Sequence, residues 1–440
     1  MRLYHRLLCE NAIKVAEAAL CYTGDILDPR RDKYDLKYYV DMAKELAAAG
    51  ANIIAIKDMA GLLKPEASYR LVSALKDAID LPIHLHTHEG SGNAIYTYAR
   101  AVDAGVDIVD TAMSAMSCGT SQPSGSSLYY ALSGHPRQPR VDVDAMNELS
   151  RYWETVRPYY KAADQTELFP NPEVYVHEMP GGQYTNLKQQ ATALGLIERW
   201  EEVKDMYHRV SMMFGDLIKV TPSSKIVGDM ALFMVQNDLS EEDIYAKGDV
   251  LDFPASVVEF FEGRIGVPYQ GFPQKLQQIV LKGRKPLEGR PGDTLPPVNF
   301  EEIKAKLAEL EAPITEEAVS SYCLYPKVFT DWVKRVHDFG DVSVLDTPTF
   351  FFGMKIGEEI KVEIEQGKML VIKLVHIGEA NADGIRTVSF EFNGLPREID
   401  IKDRNVKATN ISRKKADKAN QGEIGATLSG SVVKVLVEKG

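Results

Sequence analysis

The chain has 440 residues, room for roughly two to four domains, and is 45% hydrophobic and 26% charged, an ordinary globular composition. A net charge of −12 excludes nucleic acid and anionic membrane as main partners, and no apolar run reaches transmembrane length. The four cysteines (Cys9, Cys21, Cys118, Cys323) are scattered in no metal or redox spacing, which fits a reducing, cytoplasmic setting, and the N-terminus lacks the apolar core and cleavage site of a secretion signal.

Ala16 to Leu20, with Cys21 and Tyr22, forms an apolar run that ends in Thr23-Gly24-Asp25, a strand followed by a loop. From Leu36 to Ala49, Tyr39, Val40, Ala43, Leu46 and Ala47 recur at helical spacing, and Gly50 ends the helix. A second strand, Ile53 to Ile56, runs into Lys57-Asp58, a charged pair that needs a partner or a job. A rim salt bridge is the simplest use for it. A helix of about twelve residues opens after Lys64-Pro65, where Pro suits the first turn.

The third strand is Pro82-Ile83-His84-Leu85-His86-Thr87-His88, leading into Glu89-Gly90-Ser91-Gly92. Residues two apart on a strand share a face, so the three histidines point the same way. Two imidazoles that close on a rigid strand form a ready pair of metal ligands. His86 and His88, nearest the strand's C-terminal end, are favoured over His84; the plainer alternative is a set of hydrogen-bonded core histidines. A helix from about Asn93 to Ala104, a strand from Val106 to Ala112 and a helix around Ser126 to Leu132 complete a β-α-β-α-β-α-β-α series. Such alternation means parallel strands, as in a doubly wound sheet or part of a (β/α) barrel. Asp25, Lys57-Asp58, His86-His88 and Asp110-Thr111 all sit at C-terminal strand ends, where both architectures place their sites.

From about Val143 to Leu310 the pattern is mainly helical, interrupted by His177-Glu178-Met179-Pro180-Gly181-Gly182-Gln183 and by Val220-Thr221-Pro222-Ser223-Ser224-Lys225. Read locally, Thr221 is a helix N-cap. Pro286 to Pro297 reads as a connection. Thr315 to His337 reads as helix; from Thr349-Phe350-Phe351-Phe352-Gly353 onward a β-rich piece follows, with strands at Ile360–Ile364, Met369–Ile377, Thr387–Phe392 and Arg397–Ile401. Ser412 to Gln421 is a polar linker, and Ile424 to Gly440 looks like the start of another β module.

CYTGDILDP, AIKDMAGLLKP, HLHTH, TSQPS, HEMPGGQY, KVTPSSKIVGDMAL, DTPTFFFGM and IGATLSGSV together resemble the pyruvate carboxylase family over nearly the whole chain. Oxaloacetate decarboxylase and transcarboxylase share the barrel motifs; DTPTFFFG favours pyruvate carboxylase. The resemblance implies four regions. Residues 1–145 would be the C-terminal half of a (β/α)8 TIM barrel, 146–312 its helical funnel, 313–421 a β-rich tetramerisation and allosteric domain, and 422–440 the start of a biotin-carrier domain. It also implies a divalent metal, Zn or Mn, held by His86, His88 and a carbamylated Lys57. A carbamate is a carboxylate-like ligand, which a protonated lysine is not. Thr221 matches the threonine that carries a proton between pyruvate and biotin, and Ser224 lies in the part that resembles the biotin site.

Expected partners are pyruvate and oxaloacetate, a biotin-carrier domain, further copies in a tetramer, and acetyl-CoA as effector. Biotin would sit on a carrier lysine beyond this chain, and ATP and bicarbonate on a biotin carboxylase domain also beyond it. The family barrel starts four βα units earlier, with an Asp ligand and pyruvate-binding arginines absent here. This chain also departs from the family at Glu89-Gly90, at Ser117-Cys118-Gly119 and over residues 1 to about 10. Two other readings are open. One is a biotin-independent aldol-type lyase or synthase with a His-x-His metal site, against which the PGGQ and TPSSK motifs speak. The other is a non-catalytic fragment acting in assembly or effector binding.

Overall fold

The computed structural model describes residues 15–403 apart from 162–163 and 165–168. Expectations for 404–440, including the linker and the last β module, lie outside the described residues, as do those for 1–14. The chain divides into two units, residues 1–298 and 299–440.

The first unit opens with β1 (Glu17–Cys21), α1 (Leu36–Ala48), β2 (Ile53–Asp58), α2 (Pro65–Ala78), β3 (Ile83–Thr87), α3 (Ala94–Asp103), β4 (Ile108–Val109) and α4 (Gly125–Ala131). The strands pair in parallel in the order β1-β2-β3-β4, as consecutive βα units of a barrel do. Period-two burial decides the faces. Ile54, Ile56 and Asp58 turn toward the helices and are fully buried, whereas Lys57, beside His86 in register, turns to the opposite face. Leu20, Ile54, Ile56, Ile83 and Leu85 pack against Tyr39, Ala43, Leu71, Leu75 and Tyr98 in one continuous core.

β4 is shorter than the expected Val106–Ala112. Beyond Val109 the chain leaves the ladder, and Ala112 instead bridges Ser124. The Asp110 carboxylate is thereby turned toward the histidines (see below).

The helical part of this unit comprises α5 (Val143–Val156), α6 (Val174–His177), α7 (Gly181–Ala193), α8 (Trp200–Met213), α9 (Ser223–Gln236), α10 (Glu241–Lys247), α11 (Ala255–Phe261) and α12 (Gln274–Leu281). The apolar faces of α7, α8, α9, α11 and α12 close a second core around Tyr207, Val210, Phe214, Met230, Val235 and Phe261.

The second unit begins with α13 (Phe300–Glu309), whose Leu307 packs with Ala318, Val319, Phe329 and Val333 of α14 (Glu316–Leu324) and α15 (Pro326–Phe339). The single helix expected from Thr315 to His337 is thus two, because Pro326 supplies no N–H to continue the first. Thr349–Gly353 does not begin a strand. α16 (Thr347–Phe352) forms there, with the Asp346 side chain accepting from the Thr349 amide at 3.1 Å and Pro348 in the first turn. The β-rich piece follows as expected: β5 (Glu359–Glu365), β6 (Lys368–Ile377), β7 (Ile385–Phe392) and β8 (Leu395–Lys402) form an antiparallel meander. No described helix is long and apolar enough to cross a membrane.

Candidate active site at the strand ends

β2 and β3 set the first group. His84, His86 and Lys57 share the sheet face turned away from the helices, and His88 follows β3 immediately. A chain of polar contacts runs along this face. Glu17 Oε1 lies 3.1 Å from His84 Nδ1. His84 Nε2 lies 3.0 Å from Asp110 Oδ1, an ion-pair distance but off the line a hydrogen bond needs. Asp110 Oδ2 is 2.8 Å from His86 Nδ1. His86 Nε2 is 3.1 Å from His88 Nε2, and His88 Nδ1 is 2.6 Å from the Thr120 carbonyl oxygen.

The tautomers follow from the partners. A carbonyl oxygen only accepts, so His88 Nδ1 carries the proton; the Asp110 carboxylate places the His86 proton on Nδ1 likewise. In the neutral rings both Nε2 atoms are then lone pairs facing each other at 3.1 Å, a repulsive arrangement unless a proton or a cation sits at that point. Two imidazoles on one zinc, each about 2.0–2.1 Å from the metal, have nitrogens roughly 3.0–3.4 Å apart. The donor pair therefore fits a divalent cation, and each ring's second nitrogen is anchored as metal-bound histidines usually are. Burial lowers the His88 pKa, and the nearby His86 and Lys57 add to this, against the Thr120 carbonyl; the neutral, ligating form is favoured. Among the described residues, no group of three or more His, Cys, Asp or Glu side chains gathers as a complete ligand set.

Lys57 is exposed on the histidine face. The rim salt bridge considered for Lys57-Asp58 does not form: Asp58, fully buried, accepts from the Leu62 and Leu63 amides at 2.8 and 2.9 Å and from Thr87 Oγ1 at 2.7 Å. It ties the turn after β2 to β3, and burial raises its pKa. Glu89 also has a local task. It is buried, and its carboxylate accepts from the Ala94 amide at the start of α3 at 3.3 Å.

The second group lies on the helical side. The loop from α8 to α9 is pinned to the end of β1, where the Lys219 amide donates to Thr23 Oγ1 at 3.2 Å. Thr221 is exposed and precedes Pro222 through a cis peptide bond. It does not cap α9: Pro222 occupies the cap position and no side chain bonds there. Ser224, in the first turn of α9, is buried, and its hydroxyl has no partner among the described residues. His86 and His88 are thus brought together with Lys57 alongside, and the Thr221–Ser224 loop reaches the same C-terminal edge of the sheet at β1.

Sequence reasoning did not find the roles of Asp110, the Thr120 carbonyl or the residues of HEMPGGQY. In that motif, Gly181 abuts Thr120: an added Cβ would lie 2.7 Å from Thr120 Cβ and 3.1 Å from its Cα. Gln183 fills the space beside Gly228. His177 is buried, its Nδ1 accepting from the Met179 amide at 3.0 Å, and burial, with Lys204 adding to it, lowers its pKa to about 4.

Residues 13–152 match the family model described as HMGL-like, and residues 174–373 match that of the conserved carboxylase domain. The chain is 59% identical over 428 residues to pyruvate carboxylase of Bacillus subtilis (strain 168), covering 97% of this chain and 37% of that protein. It is 46% identical over 430 residues to mitochondrial pyruvate carboxylase of Rattus norvegicus, covering 97% of this chain and 36% of that protein. The chain thus spans little more than a third of the length of these relatives. Among solved structures it is similar to the carboxyl transferase domain of Rhizobium etli pyruvate carboxylase, with a TM-score of 0.86 and 49% identity over 92% of this chain and 68% of that one. The same domain solved with pyruvate and biocytin gives the same figures. Matching motifs, strand order and the covered length of that domain agree: this chain belongs to the family of pyruvate carboxylase carboxyltransferase domains.

Proposed function

We propose that this chain provides carboxyltransferase machinery that moves CO2 from carboxybiotin to pyruvate, giving oxaloacetate. The observation that carries the reading is the pair of Nε2 lone pairs held 3.1 Å apart by Asp110 and the Thr120 carbonyl. His86 and His88 would hold a divalent cation, Zn or Mn, with Lys57 as a third ligand once CO2 has converted its amine to a carbamate. Such a cation supplies a Lewis acid that favours the enolate form of pyruvate.

The remaining chemistry falls to the chain's own groups. The Thr221 hydroxyl accepts a proton from the pyruvate methyl group and passes its own to the biotin nitrogen from which CO2 has parted. The carbon–nitrogen bond of carboxybiotin breaks, and a carbon–carbon bond to the methyl carbon forms. A hydroxyl can relay in this way without a tuned pKa, provided it is held within hydrogen-bonding distance. The unpartnered hydroxyl of Ser224 is a donor available to biotin. The family likeness extends the reading to a tetramer, an acetyl-CoA effector, a biotin-carrier partner and a cytoplasmic setting.

The test is carboxyl transfer between oxaloacetate and biotin, with the portion of the relatives that this chain does not span supplied. Thr221→Ala should lower turnover by roughly a hundredfold or more with little change in melting temperature, and Thr221→Ser should keep partial activity. Normal turnover in folded Thr221→Ala protein rules the relay out.

A further inference from the structure

Two cations and two anions are shut away together beside the Thr221 loop. Arg31, in the loop after β1, binds Glu178 through Nη1 and Asp216 through Nη2, the latter at 2.9 Å. Lys219 Nζ lies 3.2 Å from Glu178 Oε2, 3.0 Å from Asp216 Oδ1 and 2.9 Å from Ser211 Oγ. Lys219 is 2% exposed and Glu178 4%, so neither charge would be tolerated there alone. The formal charges sum to zero. Burial by itself would raise the Asp216 carboxyl, but Lys219 and Arg31 hold it below the usual range.

The backbone shows how firmly the two acids are placed. Glu178 and Asp216 both adopt left-handed conformations, with φ of 54° and 52°. Non-glycine residues rarely accept this conformation. The contacts also join segments far apart in sequence: Tyr34 Oη donates to the Asp216 carbonyl at 2.9 Å, and Lys33 Nζ donates to the Gly215 carbonyl. Within the loop from Gly215 to Lys219, the Asp216 carboxylate and carbonyl, the Gly215 carbonyl and the Lys219 amide bond the loop after β1, while Lys219 Nζ bonds Glu178 and Ser211 of α8; Thr221 follows two residues later.

We infer that Arg31, Glu178, Asp216 and Lys219 form a charge-neutral clamp whose task is to position the Thr221 hydroxyl for carboxyl transfer. They are positioning residues, acting through the loop and not on substrate, and the inference rests on the role proposed above for Thr221. Buried groups that satisfy one another in this way fix a geometry more than they add stability. A loop carrying a proton relay needs that fixity, because a displacement of an ångström removes the hydrogen bond the transfer depends on.

Asp216→Asn and Glu178→Gln keep the shape of each side chain and remove its charge. Two measurements decide. The first is amide hydrogen exchange on the chain itself: each variant should speed exchange selectively at Lys219, Val220 and Ser224, leaving α8 and α12 unchanged. The second is a double-mutant cycle in the transfer assay. Each variant should lower kcat about tenfold with KM for pyruvate nearly unchanged, and should add less than about a twofold loss on top of Thr221→Ala. Losses that multiply with Thr221→Ala overturn the clamp, as do full turnover with unaltered exchange, or failure of both variants to fold, which would assign the cluster to the whole helical layer. If Thr221→Ala alone keeps full turnover, the relay fails, and the exchange measurement still decides whether the cluster holds the loop.

Discussion

Two polar clusters, one along the face of the parallel sheet and one beside the loop after β1, differ in balance. Around Arg31, Glu178, Asp216 and Lys219 every charge meets its opposite, with only Arg31 Nε left without a hydrogen-bond partner among the described residues. Along Glu17, His84, Asp110, His86 and His88 the accounting does not close. Donors are consumed at the outer nitrogens, and two acceptors are left facing one another. A cluster whose charges pair off holds structure; lone pairs left facing one another favour a bound proton or cation and make that cluster the candidate for chemistry.

The sharpest way to break this contrast is to remove the open pair. His86→Ala/His88→Ala should reduce metal content of the purified protein to background, and equal content in variant and parent would sink the assignment of these nitrogens as ligands. Opening the closed cluster should act on stability instead. Lys219→Met leaves two buried carboxylates with one cation, and urea unfolding should show a loss of roughly 3–5 kcal/mol. An unchanged midpoint would mean the four charges are hydrated in solution.

A subtler variant sharpens the comparison from the histidine side. Asp110→Asn still reaches His86 Nδ1 but no longer fixes the tautomer by charge, so metal affinity should fall by about 10- to 100-fold while the fold is retained. Isothermal titration with zinc checks this, and parental affinity would remove Asp110 from the site. The last effect belongs to His177, a buried ring outside both clusters, and acts only through pH. Its folded pKa of about 4 lies below its ordinary value of 6.5, so the unfolded chain binds the proton first. Stability is therefore retained above about pH 6.5 and falls as pH drops toward 4, with a slope of at most about 1.4 kcal/mol per pH unit from this group. His177→Gln should flatten unfolding curves in that window; an unchanged slope would assign the pH dependence elsewhere.

What could be read from the sequence follows the range of the interactions. The strand Ile53–Ile56, the alternating histidines and the helices on either side announce themselves by local period, and all are present. Thr349–Phe352, read as the opening of the β-rich piece, is a helix instead, because Asp346 caps it and Pro348 sits in its first turn. β4 was read too long because nothing in Asp110-Thr111-Ala112 announces that Ala112 will pair with Ser124. His86 and His88 stood out as a pair, but their anchors did not. Asp110 is 24 residues from His86, and the Thr120 carbonyl belongs to a backbone whose position no side-chain pattern records. The clamp is more remote still: Arg31 lies 147 residues from Glu178 and 185 from Asp216, and only the folded chain brings them together.

The contact between Gly181 and Thr120 gives the histidine site a mechanical tolerance. The His88 ring is aimed by a backbone oxygen, and that backbone rests against a residue with no side chain. A single methyl at position 181 would press on the Thr120 Cα and shift the oxygen by some fraction of an ångström. The ring, levered from its Nδ1, would swing its other nitrogen off the point it shares with His86. How well the two rings converge is therefore set partly on a helix that supplies neither of them. Variation at position 181 would be felt first in how closely the two Nε2 atoms converge.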